Sequence, residues 1–113
     1  MNSSYKGDLI KISEKYKFDL SKEEIPKPLL SLIPEFIVDR KKELEDMLNA
    51  IRDFELQRKM AHKWKGFAAP YGFPFLEEMS KALSEASKSE NEAEVEEILL
   101  VTKNYIEEKA KTI

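Results

Sequence analysis

Residues 60–74 read MAHKWKGFAAPYGFP, and they mark the point where one helical pattern ends and another begins. Apolar side chains recur at three- and four-residue spacing up to Phe67, which predicts an amphipathic helix. Pro70 and Gly72 interrupt the pattern, because proline lacks a backbone donor and glycine tolerates left-handed conformations. Pro74 can open the next helix, since its missing N–H costs little in a first turn. The stretch therefore predicts two helices and a short connection.

Similar patterns on both sides of this stretch predict four helices, near residues 30–52, 54–70, 74–88 and 91–111. Asp53 is the predicted N-cap of the second helix. The predicted core positions of the other three helices are Leu30, Ile33, Ile37, Leu44, Leu48 and Ile51, then Phe75, Leu76, Met79, Leu83 and Ala86, then Val95, Ile98, Leu99, Thr102, Tyr105 and Ile106. Amphipathic helices joined by short polar loops predict an all-α fold, an antiparallel up-down four-helix bundle.

The N-terminal region has a weaker pattern. Apolar residues there alternate loosely with polar ones, which fits either an extended strap across the bundle or a short helix: Ile10, Ile12, Tyr16, Phe18 and Leu20. We therefore divide the chain into an N-terminal extension, residues 1–28, and a bundle, residues 29–113. A length of 113 residues with 42% hydrophobic content suits one continuous core.

Composition excludes several classes of function. The chain has no cysteine, so it forms neither disulfides nor thiolate metal sites. No apolar run approaches the roughly 20 residues that span a bilayer, and the N-terminus lacks the apolar core of a signal peptide. We expect a cytoplasmic protein that does not bind membranes. The net charge of −3, from 22 acidic and 19 basic residues along the whole chain, predicts no nucleic-acid partner. Charge on all outer faces favours a monomer.

The only histidine, His62, lies on the predicted second helix. At about 100° per residue, the residues that fall roughly 120° to 200° from it form the predicted core face: Leu56, Met60, Trp64, Phe67 and Tyr71. Those within roughly 60° of it form the predicted polar face: Glu55, Arg58, Lys59, Lys65, Gly66 and Ala69. His62 is therefore predicted to project into solvent. This phase argues against a core histidine, but an incidental surface histidine would have the same phase.

An exposed histidine allows one chemistry better than others. A single imidazole without cysteine supplies too few ligands for zinc, and no serine stands in a nucleophile-elbow context. A neutral imidazole has a free lone pair that can attack phosphorus. Positive charge at Arg58, Lys59, Lys63 and Lys65 favours the neutral imidazole and attracts a phosphoryl group. Taken singly, each of these lysines also fits an ordinary solvated face.

Gly66 lies one turn beyond His62 on the same face. Glycine inside a helix costs on the order of 1 kcal/mol relative to alanine, so its presence there indicates a specific reason. Without a side chain, another protein can approach the imidazole closely. The alternative is that the helix frays early before Pro70.

Several motifs together resemble those of histidine-containing phosphotransfer (HPt) domains. Residues 62–66, HKWKG, resemble the H-x-[LW]-K-G signature, and residues 71–76, YGFPFL, resemble the Y-G-F-P-x-L of one bacterial branch. Residues 32–40, LIPEFIVDR, resemble that branch's L-I-P-x-[FY]-L-x-x-R, and residues 82–86 resemble its A-L-E-x-A. The resemblance covers residues 29–107. Trp64 replaces the more usual leucine and Phe67 a small residue, which predicts bulkier packing beneath the site.

The resemblance implies a four-helix bundle that relays a phosphoryl group between receiver-domain aspartates, or from a histidine kinase, in a two-component phosphorelay. His62 is then the phosphorylation site, Lys65 assists electrostatically and Gly72 shapes the chain after the helix. The predicted partner-binding residues are Arg58, Lys59, Lys63, Gly66 and Ala69. The implied protein is a phosphocarrier rather than an enzyme. It has no cofactor or metal of its own, since Mg²⁺ belongs to the acidic pocket of the receiver.

The implied partners are separate chains, a response-regulator receiver domain or a hybrid histidine kinase. Two other functions compete with phosphotransfer. The same helices could form an interaction module that binds and regulates a kinase or receiver without being phosphorylated. They could also form a structural bundle with no signalling role, which the coincidence of His62, Lys65 and Gly66 on one exposed face disfavours.

Overall fold

The ends of the helices lie at capping residues and prolines. The computed structural model describes residues 15–113, which form four α-helices and no strand. Their bounds are α1, Ile33–Leu48; α2, Phe54–Phe67; α3, Pro74–Lys88; and α4, Glu92–Ala110. Asp53 caps α2 as predicted, because its carboxylate accepts a hydrogen bond from the Leu56 N–H at 3.0 Å. Asn91 caps α4 in the same way through the Glu94 N–H.

The helices pack around one core, which confirms the all-α class. Helix α2 packs mainly on α3, and α4 packs on both α3 and α1, as in a four-helix bundle. Every core position predicted for α3 and α4 is buried. No helix in residues 15–113 is long and apolar enough to cross a membrane.

Helix α1 is shorter than predicted at both ends. Residues Lys27–Leu32 form a 3₁₀-helix instead, and Leu30 on it is 47% exposed rather than part of the core. At the other end α1 stops at Leu48, because the chain must reverse through residues 49–53 before Asp53 can cap α2. Leu48 and Ile51 are consequently only partly buried.

Helix α2 is turned relative to the predicted phase. Its buried positions are Gln57, Ala61 and Trp64, followed by Ala68, whereas the other four predicted core residues are partly buried: Leu56, Met60, Phe67 and Tyr71. Gln57 can be buried because its amide donates to the Ile51 carbonyl at 2.7 Å and accepts from the Ser87 hydroxyl at 2.8 Å. A buried face that is predicted from apolar residues alone could not include Gln57, because this glutamine is buried only by virtue of its hydrogen bonds.

Residues 15–26, here called the strap, cross the helices before α1. The Phe18 ring lies 5.1 Å from the rings of both Phe75 and Tyr105. A short 3₁₀-helix, Leu20–Lys22, follows, and the Glu23 carboxylate accepts a hydrogen bond from the Tyr105 hydroxyl at 2.7 Å. The strap therefore contributes side chains to the same core as the helices. The expectations for Ile10 and Ile12 lie outside the described residues.

Residues 68–73, here called the connector, join α2 to α3 and pass beneath the strap. Gly72 in the connector has a φ of +88°, a conformation that L side chains rarely adopt. A Cβ added there would lie 2.6 Å from the Glu24 carbonyl oxygen and 2.8 Å from the Ile25 Cα, both backbone atoms of the strap. Glycine is required by both the torsion angle and the space, which agrees with the structural role predicted for Gly72.

Gly72→Ala is therefore expected to destabilise the fold. The left-handed conformation alone costs about 1–2 kcal/mol for a non-glycine residue, and the strap backbone must also move. Gly66→Ala is the matched control, because nothing lies within 4 Å of a Cβ at that position. It should raise the free energy of unfolding by about 0.5–1 kcal/mol. Urea denaturation measures both changes, and equal stability of the two variants would contradict the close approach of the strap.

Candidate functional site

His62 is exposed and borders a shallow groove between α2 and α3. The groove has a volume of about 300 Å³. Helix α2 contributes Arg58, Ala61, His62 and Lys65, and α3 contributes Ser80, Lys81, Ser84, Glu85 and Lys88. The predicted exposure of His62 is confirmed, although α2 is turned from the predicted phase. The imidazole is therefore exposed to solvent, and side chains of α3 form the other side of the groove.

The groove is strongly cationic. Four basic side chains line it, Arg58, Lys65, Lys81 and Lys88, against a single acid, Glu85. None of the four bases has an ion-pair or hydrogen-bond partner within residues 15–113. Unpaired positive charge at a groove attracts anions.

Two other surface grooves have balanced charge. The groove between α1 and α4 is lined by Lys41 and Lys103 together with Glu45 and Glu107. The groove between α1 and α2 is lined by two bases and two acids, Arg40, Lys63, Glu35 and Asp39. The excess of positive charge beside His62 is thus a property of its own groove, in a chain whose net charge is −3.

The other predicted partner-binding residues differ in position. Gly66 is exposed, and a Cβ placed there would meet no atom within 4 Å apart from its own chain neighbours. Lys59 is exposed but does not line the groove. Ala69 is exposed in the connector, beyond the end of α2. Arg58 and Lys65 are therefore the two predicted cations that the structure brings together with His62.

Lys63 points away from His62. Its ammonium nitrogen lies 2.5 Å from the Glu43 Oε2 atom on α1, and its side chain is half exposed. The groove that it lines is the balanced one between α1 and α2. Its positive charge is thus used in an ion pair between helices, on the flank of α2 opposite the cationic groove.

Glu43 is the centre of a buried hydrogen-bond network beneath this flank. Its carboxylate accepts two bonds from Arg40, at 2.7 and 3.0 Å, one from Lys63 and one from the Trp64 indole N–H at 2.8 Å. The Arg40 guanidinium also lies over the rings of Phe36 and Phe67, at 4.6 and 4.5 Å. Burial acts to raise the pKa of Glu43, but the bonds from Arg40, Lys63 and Trp64 outweigh it and lower that pKa. The network fixes α2 against α1.

The lowered pKa of Glu43 predicts acid sensitivity. The stabilising contribution of the carboxylate is complete above the ordinary glutamate pKa and is lost as the pH falls through the lower, folded-state value. Unfolding measured between about pH 7 and pH 3 should therefore show a stability difference between wild type and Glu43→Gln that shrinks toward acid. Parallel pH profiles for the two proteins would contradict this assignment.

Several residues of the site escaped prediction from the sequence. The α3 wall of the groove, including Lys81, Ser84 and Lys88, depends on which helix packs beside α2. Arg40 and Glu43 had a readable signal, because their positions continue the buried spacing of α1 through Phe36, Ile37, Leu44 and Met47. Charged residues in a buried stripe indicate an internal ion pair.

Comparison of the chain with sequence models of protein families, with curated proteins and with solved structures finds no significant match. Within residues 15–113, no three His, Asp or Glu side chains come together in a way that could hold a metal ion. The features of the chain that bear on its function are therefore the geometry of the His62 groove and the motifs around it.

Proposed function

We propose that this chain is an HPt-type phosphocarrier that accepts a phosphoryl group on His62 and passes it to a receiver-domain aspartate. The observation that supports this proposal is the exposed imidazole at a groove with four unpaired cations. An incidental surface histidine needs no such groove. The open surface at Gly66 is also what a docking protein requires.

The chemistry follows from these groups. An imidazole nitrogen of neutral His62 attacks the phosphorus of an aspartyl phosphate, the N–P bond forms, and the P–O bond breaks to release the partner's carboxylate. The positive charge of Lys65 offsets the negative charge on the transferring group, and the lysines of α3 strengthen the same field. Positioning and charge neutralisation supply the catalysis, while Mg²⁺ is held by the receiver.

The full architecture in this proposal is an antiparallel, up-down four-helix bundle in the cytoplasm. The short connections support that topology, since only residues 49–53, 68–73 and 89–91 separate consecutive helices. The packing of α4 on both α3 and α1 closes such a bundle. The proposed protein acts as a monomer, with a receiver domain or a hybrid histidine kinase as a separate partner.

The decisive experiment is a phosphotransfer profile. The chain is incubated with a panel of phosphorylated receiver domains, and phosphate on it is followed by mass spectrometry and by its stability in acid and base. We expect one phosphoryl group for each chain, labile in acid, stable in base and located on His62. Binding of a receiver without transfer would identify the non-phosphorylated interaction module instead. No binding and no transfer with any receiver or kinase would contradict both functions.

Gly66 provides a separate test of docking. Gly66→Gln is expected to weaken receiver binding and slow transfer about tenfold or more, because the side chain obstructs the approach to His62. Gly66→Ala places only a methyl group in open space and should have a much smaller effect. Both substitutions improve helix propensity, so neither effect can come from unfolding. Wild-type affinity and transfer in Gly66→Gln would exclude Gly66 from the interface.

A further inference from the structure

Lys109 is a buried lysine that joins three parts of the chain. It lies near the end of α4, and its side chain is only 4% exposed. Its ammonium group donates to the Glu23 carboxylate of the strap at 2.5 Å and also to the Gly72 carbonyl of the connector. The same nitrogen lies 4.2 Å from the centre of the Phe73 ring. Strap, connector and α4 therefore meet at one cation.

The connector is held both by its own hydrogen bonds and by this cation. Its own hydrogen bonds form a tight turn, in which the Phe73 N–H donates to the Ala68 carbonyl at 2.8 Å and the Gly72 N–H to the Ala69 carbonyl at 2.9 Å. Ala68 and Phe73 at the ends of the turn are fully buried. The Gly72 carbonyl in this turn accepts a hydrogen bond from Lys109, and the strap backbone lies against the Cα of Gly72.

The connector follows directly on the last turn of α2, where Lys65 and Gly66 lie. Gly66 lowers the helix propensity of that turn, and nothing lies within 4 Å of a Cβ placed at this position. The Ala68 N–H closes it by donating to the Trp64 carbonyl at 2.8 Å. The buried Ala68 thus belongs both to the last turn of α2 and to the connector.

We propose that Lys109 and Glu23 are positioning residues for the His62 site: through the Gly72 carbonyl and the connector, they hold the last turn of α2 in place. Neither residue lines the groove or touches the phosphoryl group. The functional half of this proposal rests on phosphotransfer at His62. Its structural half, the ordering of the turn that carries Lys65 and Gly66, does not.

Three variants test this coupling. Lys109→Met keeps an unbranched side chain that is one heavy atom shorter, and it removes the donor to the Gly72 carbonyl. Glu23→Gln/Lys109→Met also removes the buried charge that the first variant leaves unpaired, since an uncompensated buried charge is the strongly destabilising part of such a change. Ile51→Ala is the control. Ile51 packs against the core just before the N-terminal end of α2, far along the chain from the last turn of that helix.

The first readout is amide hydrogen exchange, which needs no partner. In Lys109→Met and in the double variant, we expect the Ala68, Gly72 and Phe73 amides to exchange about tenfold faster or more relative to the slowest amides of α3. Ile51→Ala should leave that ratio unchanged. An unchanged ratio in the double variant would overturn the proposal, because Lys109 would then contribute only to global stability.

The second readout is single-turnover transfer from a phosphorylated receiver. At saturating receiver, and at a temperature where both proteins are fully folded, the rate in the double variant should fall about threefold or more relative to wild type. Wild-type transfer in the double variant would overturn the positioning role. A wild-type protein that accepts no phosphate would instead contradict the proposed function, and the exchange ratio would still decide whether Lys109 orders the last turn of α2.

Discussion

His62→Gln is expected to abolish phosphoryl transfer to this chain while preserving its fold and its affinity for receivers. Glutamine occupies similar space but is not a comparable nucleophile, and an exposed position tolerates the exchange. No second histidine exists to accept the group. Transfer is measured as acid-labile phosphate on the chain after incubation with a phosphorylated receiver. Acceptance of phosphate by His62→Gln would show that another residue is the acceptor.

Two lysine variants show whether the groove contributes to the same reaction. Lys65→Ala should slow transfer without abolishing it, because a nearby charge stabilises the transition state but forms no bond. Lys103→Ala is the matched control, since Lys103 is exposed on α4 and lines the separate groove between α1 and α4. Equal rates in the two variants would exclude a specific role for Lys65.

Of the substitutions proposed for this protein, Trp64→Ala should cause the largest fall in the free energy of unfolding. Its side chain is fully buried, and truncation of a buried aromatic residue typically costs about 3–5 kcal/mol. The Glu43 carboxylate also loses the indole donor at 2.8 Å. Trp64→Phe separates these effects, because it keeps a ring and removes the hydrogen bond. Chemical denaturation measures both variants.

Val38→Ala is the control for this prediction, since Val38 is 63% exposed on α1. Its effect should stay within about 0.5 kcal/mol of zero. A wild-type free energy of unfolding in Trp64→Ala would mean that α2 is oriented differently from the structure described above.

The periodicity of the sequence was sufficient for the helices whose buried faces are apolar. Every core position predicted for α3 and α4 is buried, since residues such as Leu83 and Ile98 repeat at helical spacing, although the buried Val101 was not among them. Periodicity was insufficient where polar side chains are buried together with their hydrogen-bond partners. Gln57, Glu43 and Lys109 are all buried by virtue of hydrogen bonds to distant segments, and no local pattern specifies those partners.

The candidate site was predictable only in its α2 half. Helical phase and local charge were enough to place Arg58, His62 and Lys65 on one exposed face. Lys63 belongs to the same basic stretch of sequence, but its side chain extends toward α1 and pairs with Glu43. The lysines of α3 join the site through tertiary packing, which the sequence of α2 does not determine.

The charge of the groove also affects how a partner reaches it. A chain with a net charge of −3 and four unpaired bases around one groove has an uneven electrostatic surface. In the docking that we propose, this field would turn the groove toward an acidic partner surface before contact, while the remaining negative charge would repel that surface in other orientations. Productive encounters are thereby favoured without a large or tight interface. Salt screens this orientation over roughly 8 Å at physiological ionic strength, so the field selects the angle of the final approach rather than the partner at a distance.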